Sequence, residues 1–399
     1  MTGDQSVGLS FELSEDQITI RDTAREFAKK RIAPNAGTWD DEGTLPKEIQ
    51  RELAEAGYFG ASIPEKHGGA GLDPVAYGLM IEELSAASAS VGVLIAVQLE
   101  LGAYPILAFG TEEQKKRYLV PMAAGEFTAY CLTEPESGTD AESMRMVAVP
   151  DGNGNYILTG TKQFITGAAY AKRFIVFAKL PEDKAPADKK KKRVCCFVVE
   201  ADANGVELGE PEKKLGLKAS DTRQVILTDC VVSEDCRIGE EGEGWKIAMA
   251  TMDHGRLGIG WQSLGIAKAS RKTAIEYAQT RKQFGRPICD FQMIQLKLAE
   301  MDLLIDSAEL LLHRAATMAG NGVWFKRQAS QAKLHSSRAA RWVSDQAIQI
   351  LGGYGYCKEY PAERYFRDAR ITGLYEGTDE IQIIIIATQS LTEFKITQN

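Results

Sequence analysis

Leu374-Tyr375-Glu376-Gly377-Thr378-Asp379-Glu380 puts a carboxylate directly before a glycine near the end of a chain of 399 residues. Far upstream, Tyr130-Cys131-Leu132-Thr133-Glu134-Pro135-Glu136-Ser137-Gly138-Thr139-Asp140 runs from β-prone residues into a Pro- and Gly-containing turn. A Glu-Gly pair alone identifies nothing. Its meaning depends on what the rest of the chain builds around it.

Residues 11 to about 127 carry a helical period. Ser14 with Gln17 forms a capping box, and Ile20, Ala24, Phe27 and Ala28 share a face before Pro34 closes the helix. Pro46 opens a second helix that Gly57 stops, and Thr111 with Gln114 opens another ending near Pro121. Residues 89–106 are apolar enough for a buried helix. From about 128 to 237 the pattern changes to short β-branched and aromatic runs at 156–159, 162–166, 173–180, 193–200 and 224–232, separated by Gly, Asn and Asp. The lysine-rich segment 181–192 reads as a solvated hairpin loop. After Gly242-Glu243-Gly244 the helical period returns over 245–281, 290–318, 326–351 and 379–394, and four helices with short connections suggest an antiparallel bundle. The fold expected is α+β and multidomain: a helical domain at 1–127, a β-barrel or sandwich domain at 128–240 and a four-helix bundle at 241–399.

The chain is 44% hydrophobic and 26% charged, with a formal net charge of −8. That acidic balance argues against nucleic-acid binding. No uncharged apolar run of the ~18 residues that a membrane span needs occurs. The apolar runs at 91–97 and 383–387 read as buried helix. The N-terminus lacks a signal or transit pattern, so a cytoplasmic, prokaryotic protein is expected over a mitochondrial-matrix one. The seven cysteines form no Cys-x-x-Cys, and Cys195 and Cys196 would face opposite sides of a strand; free thiols are expected. The four histidines lack the spacing of metal ligands. No Gly-x-Gly-x-x-Gly or phosphate-loop signature opens a helix after a strand, which argues against a Rossmann dehydrogenase.

Several motifs together resemble the acyl-CoA dehydrogenase family. Ile63-Pro64-Glu65-Lys66-His67-Gly68-Gly69-Ala70-Gly71 is similar to its N-terminal signature. The 130–140 segment and Lys162-Gln163-Phe164-Ile165-Thr166-Gly167 resemble its flavin-binding strands. Arg281-Lys282-Gln283-Phe284-Gly285, Gln349-Ile350-Leu351-Gly352-Gly353-Tyr354-Gly355 and the Glu376 loop resemble its C-terminal domain. The six motifs keep the family's order over nearly the whole chain.

The resemblance implies one FAD per subunit, a homotetramer built as a dimer of dimers, and an electron-transfer flavoprotein as acceptor. It implies α,β-dehydrogenation of a short- or branched-chain acyl-CoA to the enoyl-CoA, with hydride passing to flavin N5 and Glu376 as the base for the α-proton. Such a base is a carboxylate whose proton affinity rises when water is excluded; Tyr375 would wall it and Gly377 would let the chain turn close to the thioester.

By the same resemblance Tyr130, Cys131, Leu132, Thr133, Gly138, Thr139, Phe164, Ile165 and Thr166 are flavin contacts. Arg281, Phe284, Gln292, Gln349, Ile350, Leu351, Gly352 and Gly353 would form a cross-subunit FAD site, joined by Thr378 and Glu380. Thr139, Asp253, Arg256, Gln262, Tyr375 and Gly377 would meet the substrate, with Gln262 shortening the acyl pocket or else lying buried and satisfied by backbone. Phe164 stands where the family usually has Trp, and Glu136 and Thr139 where it has small residues or Ser. Gly255 occupies the position where isovaleryl- and long-chain members usually carry their base, which leaves Glu376. Residues 88–98 contain no arginine, whereas family members acting on glutaryl-CoA carry one there for the distal carboxylate, so the resemblance implies that a dicarboxylic acyl group is disfavoured. The alternatives are an oxidase or a cyclic- or dicarboxylic-acyl dehydrogenase of the same fold, and a non-catalytic acyl-CoA-binding scaffold.

Overall fold

The computed structural model describes residues 12–184, 186, 188 and 192–394. The N-terminal third is helical. Ser14 and Gln17 exchange hydrogen bonds at the start of Glu15–Phe27, and Thr111 and Gln114 do so ahead of Glu112–Ala123. Asp73 caps Pro74–Ala87 by accepting from the amides of Val75 and Ala76. Pro121 lies inside its helix where the sequence suggests an end. A proline in the last turn removes only one amide donor, so the helix continues to Ala123.

The Ala89–Phe109 stretch is continuously helical over 21 residues, longer than its separate apolar runs suggest, and is apolar enough to cross a membrane. It is, however, 83% buried inside the protein, which makes it a core helix here.

The middle of the chain forms one sheet with strands β1 (Phe127–Cys131), β2 (Val147–Pro150), β3 (Asn155–Thr166), β4 (Ala171–Lys179), β5 (Val194–Glu200), β6 (Val206–Leu208), β7 (Thr222–Ser233) and β8 (Arg237–Ile238). Their order is β6-β7-β3-β2-β4-β5-β8, with β1 running parallel to β4. The expected runs at 156–159 and 162–166 fuse into β3, because irregularities after Leu158 and after Lys162 let pairing with β7 resume each time. Nearly every residue of β5 is buried, so both faces of the sheet are covered at that strand. Cys195 and Cys196 pack into separate apolar clusters, as alternation along a strand requires. The 181–192 loop falls partly outside the described residues.

Helices Gly244–Thr280, Gln292–Gly320, Lys326–Leu351 and Asp379–Glu393 make the C-terminal bundle. A further helix, Ala362–Ile371, was not expected; Asp368 on it accepts from the Leu217 amide at 2.6 Å and ties it to the sheet domain. The apolar run at 383–387 is not buried as its composition suggests. Ile383 and Ile384 are 45% and 58% exposed, because the last helix lies on the outside of the single chain.

Candidate active site

The Gly244–Thr280 helix provides the wall on which the site is built. Gly255, Gly258 and Gln262 stand three, four and seven residues apart and so share one face. A Cβ on Gly255 would lie 2.5 Å from Glu376 Oε2 and 2.8 Å from Leu101 Cδ2; one on Gly258 would lie 1.9 Å from Glu100 Oε2. The two glycines therefore admit two carboxylates, one helical turn apart.

Glu376 has φ 53°, a left-handed conformation that costs a β-carbon-bearing residue ~1 kcal/mol or more. Phe164 and Phe284 share that conformation, so three of the five non-glycine residues with positive φ among the described residues are predicted site residues. The loop is held from behind. Gln382 Nε2 donates to the carbonyls of Glu376 and Gly377 at 3.2 and 2.9 Å, and Lys333 Nζ donates to the Gly377 carbonyl at 2.8 Å. Thr378 caps the next helix by accepting from the Ile381 amide, and Glu380 sits exposed in that helix's first turn.

Glu376 as a whole is only partly enclosed, but its Oε2 is buried and has no hydrogen-bond partner. Burial pushes the Glu376 carboxyl up to about 7, against the opposing charges of Arg256 and Lys333. Glu100 is 2% exposed and neither of its carboxylate oxygens is partnered. Burial, and then the neighbouring Glu376 charge, raise its proton affinity well above the ordinary range, which keeps it neutral.

Gln262 is fully buried; its amide donates to the Ala89 carbonyl at 2.8 Å and its oxygen accepts from the Tyr375 hydroxyl. Gln262 is thus satisfied in part by backbone, as one of its two readings expects, and it also braces the tyrosine beside Glu376. Arg256 is buried and paired with Asp253, while its Nε is unpartnered. The neighbouring His254 ring stacks on Tyr104 with centroids 3.9 Å apart, and burial lowers its pKa to about 4.

On the sheet side, Lys162 is fully buried. Its Nζ bonds Glu134 at 2.8 Å and the Leu132 carbonyl at 3.1 Å. Glu134 also accepts from the amides of Arg145 and Met146, and the Gln163 amide donates to the Thr133 carbonyl at 2.8 Å. These bonds fix the 132–134 turn against β3. Cys131, Leu132 and Ile165 point into the core, so only their backbone is available to a ligand. Tyr130 lies against Phe177, its hydroxyl unpartnered. Thr133 and Thr166 are half-buried, Gly138 and Thr139 are exposed, and Phe164 is 62% exposed. Glu136 is paired with Arg145.

A separate cavity of about 620 Å³ is lined by Arg281, Gln283, Ile350, Leu351, Gly352 and Gly353, with Tyr354 at its edge. Phe284 beside it is 95% exposed; Gln292 and Gln349 are exposed at nearby helix positions. The predicted residues therefore fall into three groups: those beside Glu376, those on the sheet at 130–139 and 164–166, and those around Arg281.

Sequence reasoning did not single out Glu100, Lys333 or Gln382. A signal for Lys333 exists: it interrupts a face of small residues (Ala329, Ala332, Ser336, Ser337, Ala340) that is otherwise buried. A lysine there has to find a partner inside.

Comparison with known proteins gives one answer along the whole chain. Residues 14–126 match the family model for the acyl-CoA dehydrogenase N-terminal domain, 129–230 that for the middle domain and 242–391 that for the C-terminal domain. A mitochondrial short-chain specific acyl-CoA dehydrogenase of Mus musculus is 42% identical over 97% of this chain and 92% of its own. The structure of butyryl-CoA dehydrogenase from Megasphaera elsdenii superposes with a TM-score of 0.92 at 40% identity, over 96% of this chain and 100% of that one. A chain solved in work on the electron transferring flavoprotein of Acidaminococcus fermentans is equally similar, at TM-score 0.92 and 40% identity over 97% and 100%. With helical, sheet and helical domains in the same order and similarity across their full length, this chain belongs to the acyl-CoA dehydrogenases, a family of FAD-dependent oxidoreductases.

Proposed function

We propose that this protein oxidises a short-chain acyl-CoA between Cα and Cβ, with Glu376 as the base. The observation that carries the proposal is the Glu376 carboxylate itself: its buried Oε2 has no protein partner, and the glycine at 255 leaves it room. A buried carboxyl titrating near neutrality is poised to take a weakly acidic proton. Its backbone N–H would donate to the thioester carbonyl as charge develops there.

The residues present fit FAD. Gly352 and Gly353 have open space where a Cβ would stand, which lets a phosphate approach their backbone, and Arg281 offers paired donors to it. Phe164 is exposed beside Thr166, and the Thr133 carbonyl accepts from the amide of Gln163, next to Phe164. When bound, FAD supplies the acceptor for the β-hydride. Arg256, buried on the helix next to Gly255, and Lys333 behind the loop both lower the proton affinity of Glu376 against the effect of burial.

A short acyl group is favoured by the Gln262–Tyr375–Ala89 bridge, which closes the helix face two turns from Gly255 with fully buried polar atoms. Butyryl-CoA is the first candidate. An electron-transferring flavoprotein is the proposed acceptor, supported by the setting in which a similar chain was solved. Assembly as a dimer of dimers is supported by the exposure of Phe284, Ile383, Ile384 and Leu391, which a partner subunit would cover.

The test is an anaerobic panel of acyl-CoAs mixed with the FAD-loaded protein. Butyryl-CoA is expected to bleach the flavin fastest, and the reduced, product-bound form is expected to survive in air for minutes. Persistent yellow colour across the panel would favour a binding scaffold, and reoxidation by air within seconds would favour an oxidase.

A further inference from the structure

We propose that Lys333 is a positioning residue that joins Arg256 in supplying the charge by which Glu376 ionises in a site too dry to ionise it unaided. This rests on Glu376 being the base. Lys333 is fully buried in the Lys326–Leu351 helix, with its Nζ 2.8 Å from the Gly377 carbonyl, one residue beyond Glu376.

As a hydrogen bond this contact is redundant, because the same carbonyl already accepts from Gln382 Nε2 at 2.9 Å. A buried ammonium is a costly way to add a second donor, since its desolvation penalty is large. What only Lys333 brings is charge.

The surrounding charges leave that contribution uncancelled. Asp379 lies 3.8 Å from Lys333 Nζ, but Asp379 is also bound by Arg341 and accepts from Ser337 at 2.9 Å. The three charged groups sum to one positive charge behind the loop. Arg256, the other cation facing Glu376, acts on it more strongly than Lys333 does, although Asp253 pairs with Arg256 and offsets part of its charge. Glu100, Tyr130 and Tyr375 also face Glu376, and each is held in its neutral form by burial first and by the Glu376 charge second. Burial lowers Lys333 itself to about 8, so it still carries its charge across the neutral range.

The sign is fixed: removing a nearby positive charge makes the Glu376 carboxylate harder to form. Lys333→Gln and Lys333→Met are expected to move the acidic limb of kcat/KM upward by about one pH unit. At pH 6 they would run about tenfold below wild type, while closing on wild type well above neutrality. Arg341→Gln, at a half-exposed site, leaves Asp379 free to neutralise Lys333 and is expected to move the limb the same way by less. A uniform loss of rate with an unmoved limb in both the Lys333 and the Arg341 variants would overturn the inference and leave Lys333 as scaffolding. Glu376→Gln run alongside separates the two ideas: if it still turns over, the base assignment fails, whereas an inactive Glu376→Gln with unshifted Lys333 and Arg341 profiles sinks only the role of Lys333.

Discussion

Glu376→Gln is expected to bind acyl-CoA about as tightly as wild type and to bleach FAD about 10⁴-fold more slowly, the upper end of what a positioned base contributes. Glutamine keeps the size and the backbone conformation, so the Gln382 and Lys333 bonds to the loop carbonyls survive. What disappears is the carboxylate that Gly255 admits and that titrates near neutrality. Glu100, one turn away, is held neutral and offers no substitute. Anaerobic stopped-flow absorbance of the flavin measures the effect; retained bleaching would move the base elsewhere.

Gly255→Ala is expected to lower kcat by about 10²-fold, the effect of misplacing a reacting group by roughly an ångström. A methyl at 255 would stand 2.5 Å from Glu376 Oε2, inside contact distance. The loop backbone is clamped on its far side, so the carboxylate has to swing away while the loop stays. Displacing the end of a flexible side chain costs little stability, and alanine in place of glycine in a helix gains up to ~1 kcal/mol. The variant should therefore unfold at the wild-type temperature or slightly above it, yet be slow. A matched loss of melting temperature would point to general disruption instead.

Much of this architecture was legible in the residues because local signals and global pattern agreed. The capping boxes at Ser14 and Thr111, the glycines at 242–244 and the helical period after them all mark elements where the structure places them. The misreadings have physical causes. Composition could not show that Gly160 permits a bulge within one strand, or that Pro121 sits late enough in its helix to be tolerated. It could not tell an apolar helix covered by its own chain, Ala89–Phe109, from one left open on the outside, Asp379–Glu393.

In the candidate site, the residues that touch the reacting region lie in short motifs and could be read. Those that act on them from behind lie elsewhere. Lys333 reaches the Glu376 loop across 44 positions, and Lys162 reaches the Leu132 carbonyl across 30. No local spacing encodes such pairs; only the packing of helix against loop and strand against turn brings them together.

The pH dependence of kcat/KM for butyryl-CoA, taken from pH 5 to 9 with the FAD-loaded enzyme, tests the role of Glu376 most directly. A carboxylate base must be deprotonated to act, and burial holds Glu376 near 7 in the free enzyme. The rate is therefore expected to rise about tenfold per pH unit below neutrality and to level off above about 7, with that limb absent from the residual rate of Glu376→Gln. A profile already flat at pH 6, with any limb near the ordinary carboxylate value of about 4.3, would mean a solvated Glu376 and would contradict a base enclosed away from water.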